Sequence, residues 1–359
     1  MEELELTLED LGFDDEFADR FGAYASEGYR PGRISLEHKN LYTVLTGNDE
    51  MMAFPTGRMY YDALGREDLP VVGDWVAARI FDEQPPKAVI HAILPRRSKF
   101  SRKQAGSRTA EQPIAANIDT VFVVVGLDGD FSVRRVERYL TLAWESGAEP
   151  VVLLTKSDLC PEVEERLAEV QASAPGVPVH ALSVIEQQGL EQLPRYLVRG
   201  KTVALLGSSG VGKSTILNHL LGKEVQRTQE VREDDSRGRH TTTHRQMFVL
   251  PPGGLVIDTP GMRELQLWNA EGGLADAFSD ISALAEGCRF ADCRHENEPG
   301  CRVQEALSTG VLSEGRFESY RKLRKELSYL ERKQDVEAAQ IEKEKWKKIH
   351  KQIRQMEKK

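Results

Sequence analysis

From Gly32 to about Phe100 the chain alternates short apolar runs with turn residues. The runs are Arg33-Ile-Ser-Leu36, Leu41-Tyr-Thr-Val-Leu45, Met51-Met-Ala-Phe54, Asp74-Trp-Val-Ala-Ala-Arg-Ile80 and Ala88-Val-Ile-His-Ala-Ile-Leu94. Gly47-Asn-Asp49, Pro55-Thr-Gly57, Gly73-Asp74 and Gln84-Pro-Pro86 separate them. Five short strands punctuated in this way predict a small antiparallel barrel of OB type over residues 32–100, a fold whose face commonly binds oligonucleotides.

Beyond residue 112 the period changes. Ile118–Gly126 is a continuous apolar run, as a strand buried on both faces requires. Val133, Val136, Tyr139, Leu140 and Ala143 fall on one face of a helix over Phe131–Ser146. A strand at Val151–Leu154, a helix over about Pro161–Ala174 and a strand over about Pro178–Leu182 follow. Strands alternating with helices at this spacing predict a parallel, doubly wound sheet over 113–270. Further strands are expected at Lys201–Leu206, Gln246–Leu250 and Leu255–Asp258. Helical spacing returns over Phe317–Leu330 and Glu331–Met356, so residues 271–359 are expected to form a helical module.

With 359 residues, two or three domains are expected. A net charge of −9 argues against general nucleic-acid affinity, but the charge is uneven. Residues 1–31 are an acidic lead segment, with nine acids and no base in the first 19. Residues 101–112 continue a basic linker that begins at Arg96-Arg-Ser-Lys-Phe-Ser-Arg-Lys103, in which Phe100 is a candidate for base stacking. From Arg321 onward 14 Lys and Arg face seven acids, a pattern suited to a phosphate backbone. No apolar run is long enough to span a membrane, and the acidic start is unlike a signal peptide, so a cytoplasmic location is expected.

The chemistry centres on Gly207-Ser-Ser-Gly-Val-Gly-Lys-Ser-Thr215. Apolar Lys201–Leu206 precedes it and helical Ile216–Leu221 follows, which is the strand–turn–helix context of a phosphate-binding P-loop. Gly207, Gly210 and Gly212 let the amides of Ser208, Ser209 and Val211 turn toward one phosphate chain. Lys213 is placed for the β- and γ-phosphates, and Ser214 for a magnesium ion. Thr155-Lys-Ser-Asp158 ends a parallel strand, where ligands of such sheets bind. Asp158 can accept from the two donors on a guanine edge, and the stem of Lys156 can cover the ring. Asp258-Thr-Pro-Gly261 ends another strand, with Asp258 expected near magnesium and the Gly261 amide near the γ-phosphate. Gly238-Arg-His-Thr-Thr-Thr243 lies in a polar, aperiodic segment able to order around γ-phosphate and magnesium. Cys288-x4-Cys293-x-His295-x5-Cys301 offers three thiolates and an imidazole, a set suited to one tetrahedral structural zinc ion.

Taken in order, these motifs resemble those of a GTPase with its guanine-reading motif moved ahead of the P-loop, a circular permutation. With a preceding barrel and a following Cys/His cluster, the chain resembles the ribosome small-subunit-dependent GTPase A family over about residues 33–310. The resemblance implies a monomeric GTPase acting late in 30S maturation, stimulated by the small subunit, bound to 16S rRNA and released on hydrolysis of GTP to GDP. The alternative is a GTP-controlled RNA-binding switch in which hydrolysis is incidental. It further implies that Ser183 and Val184 belong to a base-contacting loop. Thr242 becomes the switch threonine, joining Ser214 and Asp258 around magnesium, and the zinc sits on the four Cys/His residues. Met262 stands where Ras-like proteins carry the water-orienting Gln, so a low intrinsic rate is expected, with His240 the candidate for aligning water. Thr155 replaces the commoner Asn, which predicts weaker support of the loops.

Overall fold

Strands β1 (Arg30–His38), β2 (Leu41–Leu45), β3 (Glu50–Pro55), β4 (Trp75–Phe81) and β5 (Lys87–Ile93) close into a barrel. The pairing runs β1-β2-β3-β5-β4 and returns from β4 to β1, with only β3 and β5 parallel. Alternation decides which side chains enter. In β3, Met51, Ala53 and Pro55 point inward while Glu50, Met52 and Phe54 point out. Ile34, Tyr42, Val44, Val76, Ala78, Ala88 and Ile90 complete the barrel core. This is the expected OB-type barrel. The computed structural model describes residues 6–38, 41–47, 49–81, 84–103, 111–129, 131–222, 245–251, 253–258 and 271–332.

The acidic lead is part of the packed structure. Helix α1 (Asp15–Ala25) is capped by the Asp14 carboxylate, which accepts from the Phe17 amide at 3.2 Å. It presses Phe17 and Phe21 into the core, and Phe13 meets Trp75 edge-on at 4.9 Å. Helix α2 (Gly57–Asp62) bridges β3 and β4.

Where the sequence reads as a basic linker, β6 (Lys99–Lys103) pairs with β7 (Glu111–Ala116) as an antiparallel ladder. Phe100, expected to be available for stacking, is only 2% exposed, because β6 turns it into the main core. The basic run is also internally neutralised. Arg96 grips buried Asp74 at 2.8 Å through two nitrogens, Arg97 pairs with Asp14 and Glu16, and Lys99 meets Glu111 at 2.7 Å.

The central sheet has the order β10 (Val179–Ala181), β9 (Glu149–Thr155), β8 (Thr120–Gly126), β11 (Thr202–Leu206), β13 (Leu255–Asp258), β12 (Arg245–Val249). All pairs are parallel except β12–β13. Every residue of β8 is buried, because helices cover both faces. Val121, Val123 and Val125 pack with α3 (Val133–Glu145), whereas Phe122 and Val124 pack with Ile216 and Leu217 of α5 (Lys213–Leu221). Helix α4 (Val163–Ser173) lies between β9 and β10 in the chain. The strand leading to the P-loop is thus central, although the chain reaches it after β8, β9 and β10, as a permuted sheet requires.

Barrel and sheet are continuous. β12 pairs antiparallel with β1, Leu36 opposite Gln246 and Glu37 opposite Arg245, so the eleven strands form one sheet. Buried Arg33 reinforces the junction. It donates to Leu11 O of the lead, to Gly73 O of the barrel at 3.3 Å, to Asn117 O at 2.9 Å and to Thr202 Oγ1 of β11 at 2.8 Å.

Helices α6 (Glu271–Ala277), α7 (Ser279–Glu286), α8 (Arg302–Ser308) and α9 (314–332) form the C-terminal module. Arg316 anchors it to the sheet's helical layer. Its guanidinium, 6% exposed, meets Glu137 of α3 at 2.9 Å, Asp280 at 2.8 and 2.9 Å, Ser173 O at 2.7 Å and Ala277 O at 2.9 Å.

Candidate functional site

Parallel strands deliver the site. At their carboxyl ends β11 opens into Gly207–Gly212, β9 into Thr155–Asp158, and β13 ends at Asp258. Gly207 cannot carry a side chain, since a Cβ there would lie 2.2 Å from Val124 O of neighbouring β8. Gly210 and Gly212 have φ of 74° and 97°, the left-handed region that lets the loop curl. Ser209 and Gly210 are exposed, Val211 is buried, and Ser208, Ser214 and Thr215 are half-buried. Lys213 begins α5 and lays its ammonium against the loop, donating to Gly207 O at 2.9 Å and to Ser208 O. α5 therefore begins directly at the end of this loop, and a helix N-terminus carries partial positive charge.

The loop that follows β9 joins this cradle. The Thr155 hydroxyl, on a residue 2% exposed, donates to Val211 O of the P-loop at 2.6 Å and lies 3.3 Å from Val125 O. Lys156 has φ 59°, and its ammonium pairs with Asp128 at 2.6 Å. Ser157 N donates to Leu182 O at 3.3 Å, tying this turn to the end of β10, and Asp158 stands half-buried in the one-turn helix Ser157–Leu159. Ser183 is buried and its hydroxyl accepts the Glu186 amide at 3.1 Å, shaping its own loop; the Val184 carbonyl accepts from the Gln187 side chain at 2.6 Å. Thr155, Lys156, Ser157, Asp158, Ser183, Val184, Gly207–Thr215 and Asp258 thus share one edge of the sheet. His240, Thr242, Met262 and Gly261 lie outside the described residues, as do 104–110 of the basic linker and 333–359 of the basic tail.

Two contacts escaped the sequence reading. Tyr139 on α3 places its hydroxyl 3.1 Å from Ser208 Oγ of the P-loop, and Asp128 pairs with Lys156. Helical spacing marked Tyr139 as core, which it also is. Asp128 lies just past the carboxyl end of β8, and the rule that ligands gather at such ends could have drawn attention to it.

The second candidate site lies in the C-terminal module. Cys288 is half-buried and Cys293, His295 and Cys301 are buried, and their ligand atoms all lie within 4.8 Å of one another. Zinc–sulfur bonds of about 2.3 Å and zinc–nitrogen bonds of about 2.05 Å give tetrahedral edges of about 3.8 Å between sulfurs and about 3.6 Å from sulfur to nitrogen. Cys288 Sγ lies 3.9 Å from Cys301 Sγ, and His295 Nδ1 lies 3.6 and 3.5 Å from these two sulfurs. The donor set fits such an ion. The intervening loop is held by Glu298, whose carboxylate accepts the amides of Arg294 and Glu296 at 2.9 Å and of Asn297 at 3.1 Å; these bonds pull it down to about 2.

Fold and site together define a P-loop GTPase of circularly permuted order, preceded by an OB-type barrel and followed by a helical module with a Cys/His cluster. A family model for RsgA GTPase matches residues 93–268. A model for ABC transporter matches 190–358, a span that begins with the strand, P-loop and helix that many nucleotide-binding families share. The small ribosomal subunit biogenesis GTPase RsgA of Opitutus terrae is 48% identical over 353 residues, covering 96% of each chain. A relative of the same name, numbered 1, from Oceanobacillus iheyensis is 46% identical over 88% of this chain and 90% of its own. Among solved structures, YjeQ from Thermotoga maritima superposes with a TM-score of 0.63 at 28% identity, covering 83% of this chain and 98% of that one. YloQ, described as a circularly permuted GTPase, superposes at 0.62 with 24% identity over 84% of this chain and 95% of its own, a likeness of fold. The chain belongs to the RsgA GTPase family.

Proposed function

We propose that this protein hydrolyses GTP to GDP and phosphate during biogenesis of the small ribosomal subunit, as the names of its relatives indicate. The observation that carries the reading is the 2.6 Å bond from Thr155 Oγ1 to Val211 O. It ties a base-reading loop to a phosphate cradle, so base and triphosphate are recognised as one ligand. In this reading Gly207–Gly212, Lys213, Ser214 and Thr215 hold the phosphates. Asp158 accepts from the guanine edge, Lys156 covers the ring, and Ser183 and Val184 shape the neighbouring wall, with Thr155 and Ser157 fixing the loop. Ser214, Thr242 and Asp258 hold magnesium, which when bound neutralises charge on the β- and γ-phosphates. His240 aligns the attacking water and the Gly261 amide meets the γ-phosphate. Cys288, Cys293, His295 and Cys301 hold one zinc ion with no position left open, which makes it structural.

The working partner is the 30S subunit and its 16S rRNA, met by a monomer in the cytoplasm. No helix among the described residues is long and apolar enough to cross a membrane. The test compares GTP turnover with and without 30S subunits, and dissociation with GTP against a non-hydrolysable analogue. Stimulated turnover and trapping by the analogue are expected. Equal release with both nucleotides would favour the switch in which hydrolysis is incidental. Normal stimulated turnover in His240→Ala would remove that residue's role.

A further inference from the structure

We propose that Asp128 is a positioning residue for binding of the nucleotide base, acting by fixing the side chain of Lys156. The inference rests on the reading of Thr155–Asp158 as the guanine-recognising loop. β8 and β9 lie side by side to their ends, Gly126 opposite Thr155, and the Leu127 amide donates to Thr155 O at 2.8 Å. The two loops therefore leave the sheet together. The β8 loop doubles back at once. A Cβ on Gly126 would lie only 3.1 Å from Asp128 Oδ2, and Asp128 O accepts the Phe131 amide at 3.0 Å. This turn presents the carboxylate sideways to Lys156, whose ammonium it meets at 2.6 Å.

A lysine stem has four rotatable carbons and a strongly hydrated head, so it makes a poor wall unless its far end is held. Here the near end is held as well. Lys156 adopts φ 59°, a left-handed conformation that costs a non-glycine residue energy, between the bonds of Thr155 and Ser157. With both ends fixed, the aliphatic stem is a preformed surface at the base-reading edge. The pair is partly withdrawn from water, with side chains 22% and 28% exposed. That is drier than the open surface pairs whose effect vanishes in salt.

The identity of residue 155 sharpens the point. An asparagine offers a carboxamide with several hydrogen-bonding groups. Thr155 has one hydroxyl proton, and it goes to Val211 O. The second restraint on the base-facing side of the loop has to come from elsewhere, and Asp128 supplies it.

The experiment measures GDP, IDP and ADP affinity of the full-length protein by calorimetry, for the native chain, Asp128→Asn, Asp128→Glu, Lys156→Ala and the double variant. We expect Asp128→Asn to weaken GDP and IDP binding alike, each about fivefold, the scale of one partly desolvated ion pair. Asp128→Glu recovers part of the loss, and in the Lys156→Ala background Asp128→Asn adds nothing. A loss for GDP that IDP does not share, an additive double variant, or no loss would each overturn the inference while leaving the guanine reading intact. A native chain that binds ADP as tightly as GDP would overturn both.

Discussion

Thr155→Val tests the join between base and phosphate recognition most directly. Valine keeps the branched shape, so no cavity opens, and what disappears is one hydroxyl. Its bond to Val211 O is short, 2.6 Å, on a residue 2% exposed. A buried bond of this kind contributes about 1 kcal/mol, and a carbonyl stranded without its donor costs about 1–3 kcal/mol. Because the bond links two loops that ligand binding requires in register, the loss should appear mainly in nucleotide affinity, where about 1.4 kcal/mol is a factor of ten. Equilibrium titration with a fluorescent GDP analogue should show Kd raised about tenfold, with melting lowered only slightly. Thr155→Ser restores the hydroxyl and should restore binding. GDP affinity within twofold of native in a well-folded Thr155→Val protein would refute the coupling of the two loops.

Tyr139→Phe removes the hydroxyl 3.1 Å from Ser208 Oγ; GDP Kd should rise about threefold with an unchanged melting point, as for a single hydrogen bond. Chelation, or Cys301→Ser, should release the metal, counted by atomic spectroscopy as about one per chain, and melt the C-terminal module while GDP still binds. Arg316→Met leaves Glu137 charged at 2% side-chain exposure, so stability should fall by about 3–5 kcal/mol in a denaturant titration; Glu137→Leu in the same chain should recover part of it. Arg199 and Thr7 pull Asp10 down to about 2 from 3.8, so its contribution is present above 3.8 and lost as pH falls through about 2. A carboxyl NMR titration should place its midpoint there, and Arg199→Ala should return it toward 3.8.

The chemistry was legible where it is local. Gly207–Thr215 carries its own strand, turn and helix, and Cys288 to Cys301 brings four ligands together within one loop. Alternation located all five barrel strands because each has one inward face. The opaque parts join residues far apart in the chain. Arg33 and Thr202 are 169 positions apart, and Arg316 and Glu137 are 179 apart. A charged residue reads as solvated until its partner is seen. That is why Arg96, Arg97 and Lys99 resembled a free basic strip, and why Phe100 resembled a stacking platform rather than core. The acidic lead is likewise paired within the fold. Its carboxylates, Asp10, Asp14 and Glu16, neutralise Arg199 and Arg97. The replacement of Asn by Thr155 predicts weaker support of the loops, and what the hydroxyl supplies is the buried 2.6 Å bond to Val211 O.

The permutation has a physical consequence for the two flanking units. In a sheet ordered β10-β9-β8-β11-β13-β12, the chain's entry falls at β8 and its exit beyond β13. The barrel meets the sheet at the opposite edge, where β1 ladders onto β12 and Glu37 pairs with Arg245 at 3.0 Å. The C-terminal module meets it on a helical face instead. Arg316 and Glu326 grip Glu137 and Arg138 of α3, and Gly273 of α6 allows so close a crossing that a Cβ would lie 2.5 Å from Thr141 O. The next residue on α3, Tyr139, touches the P-loop. α3 thus contacts both the C-terminal module and the P-loop. The barrel is joined to the sheet by strand pairing at β12 and by Arg33 to Thr202 of β11, and the C-terminal module is joined to it through α3, the helix that carries Tyr139 to the P-loop.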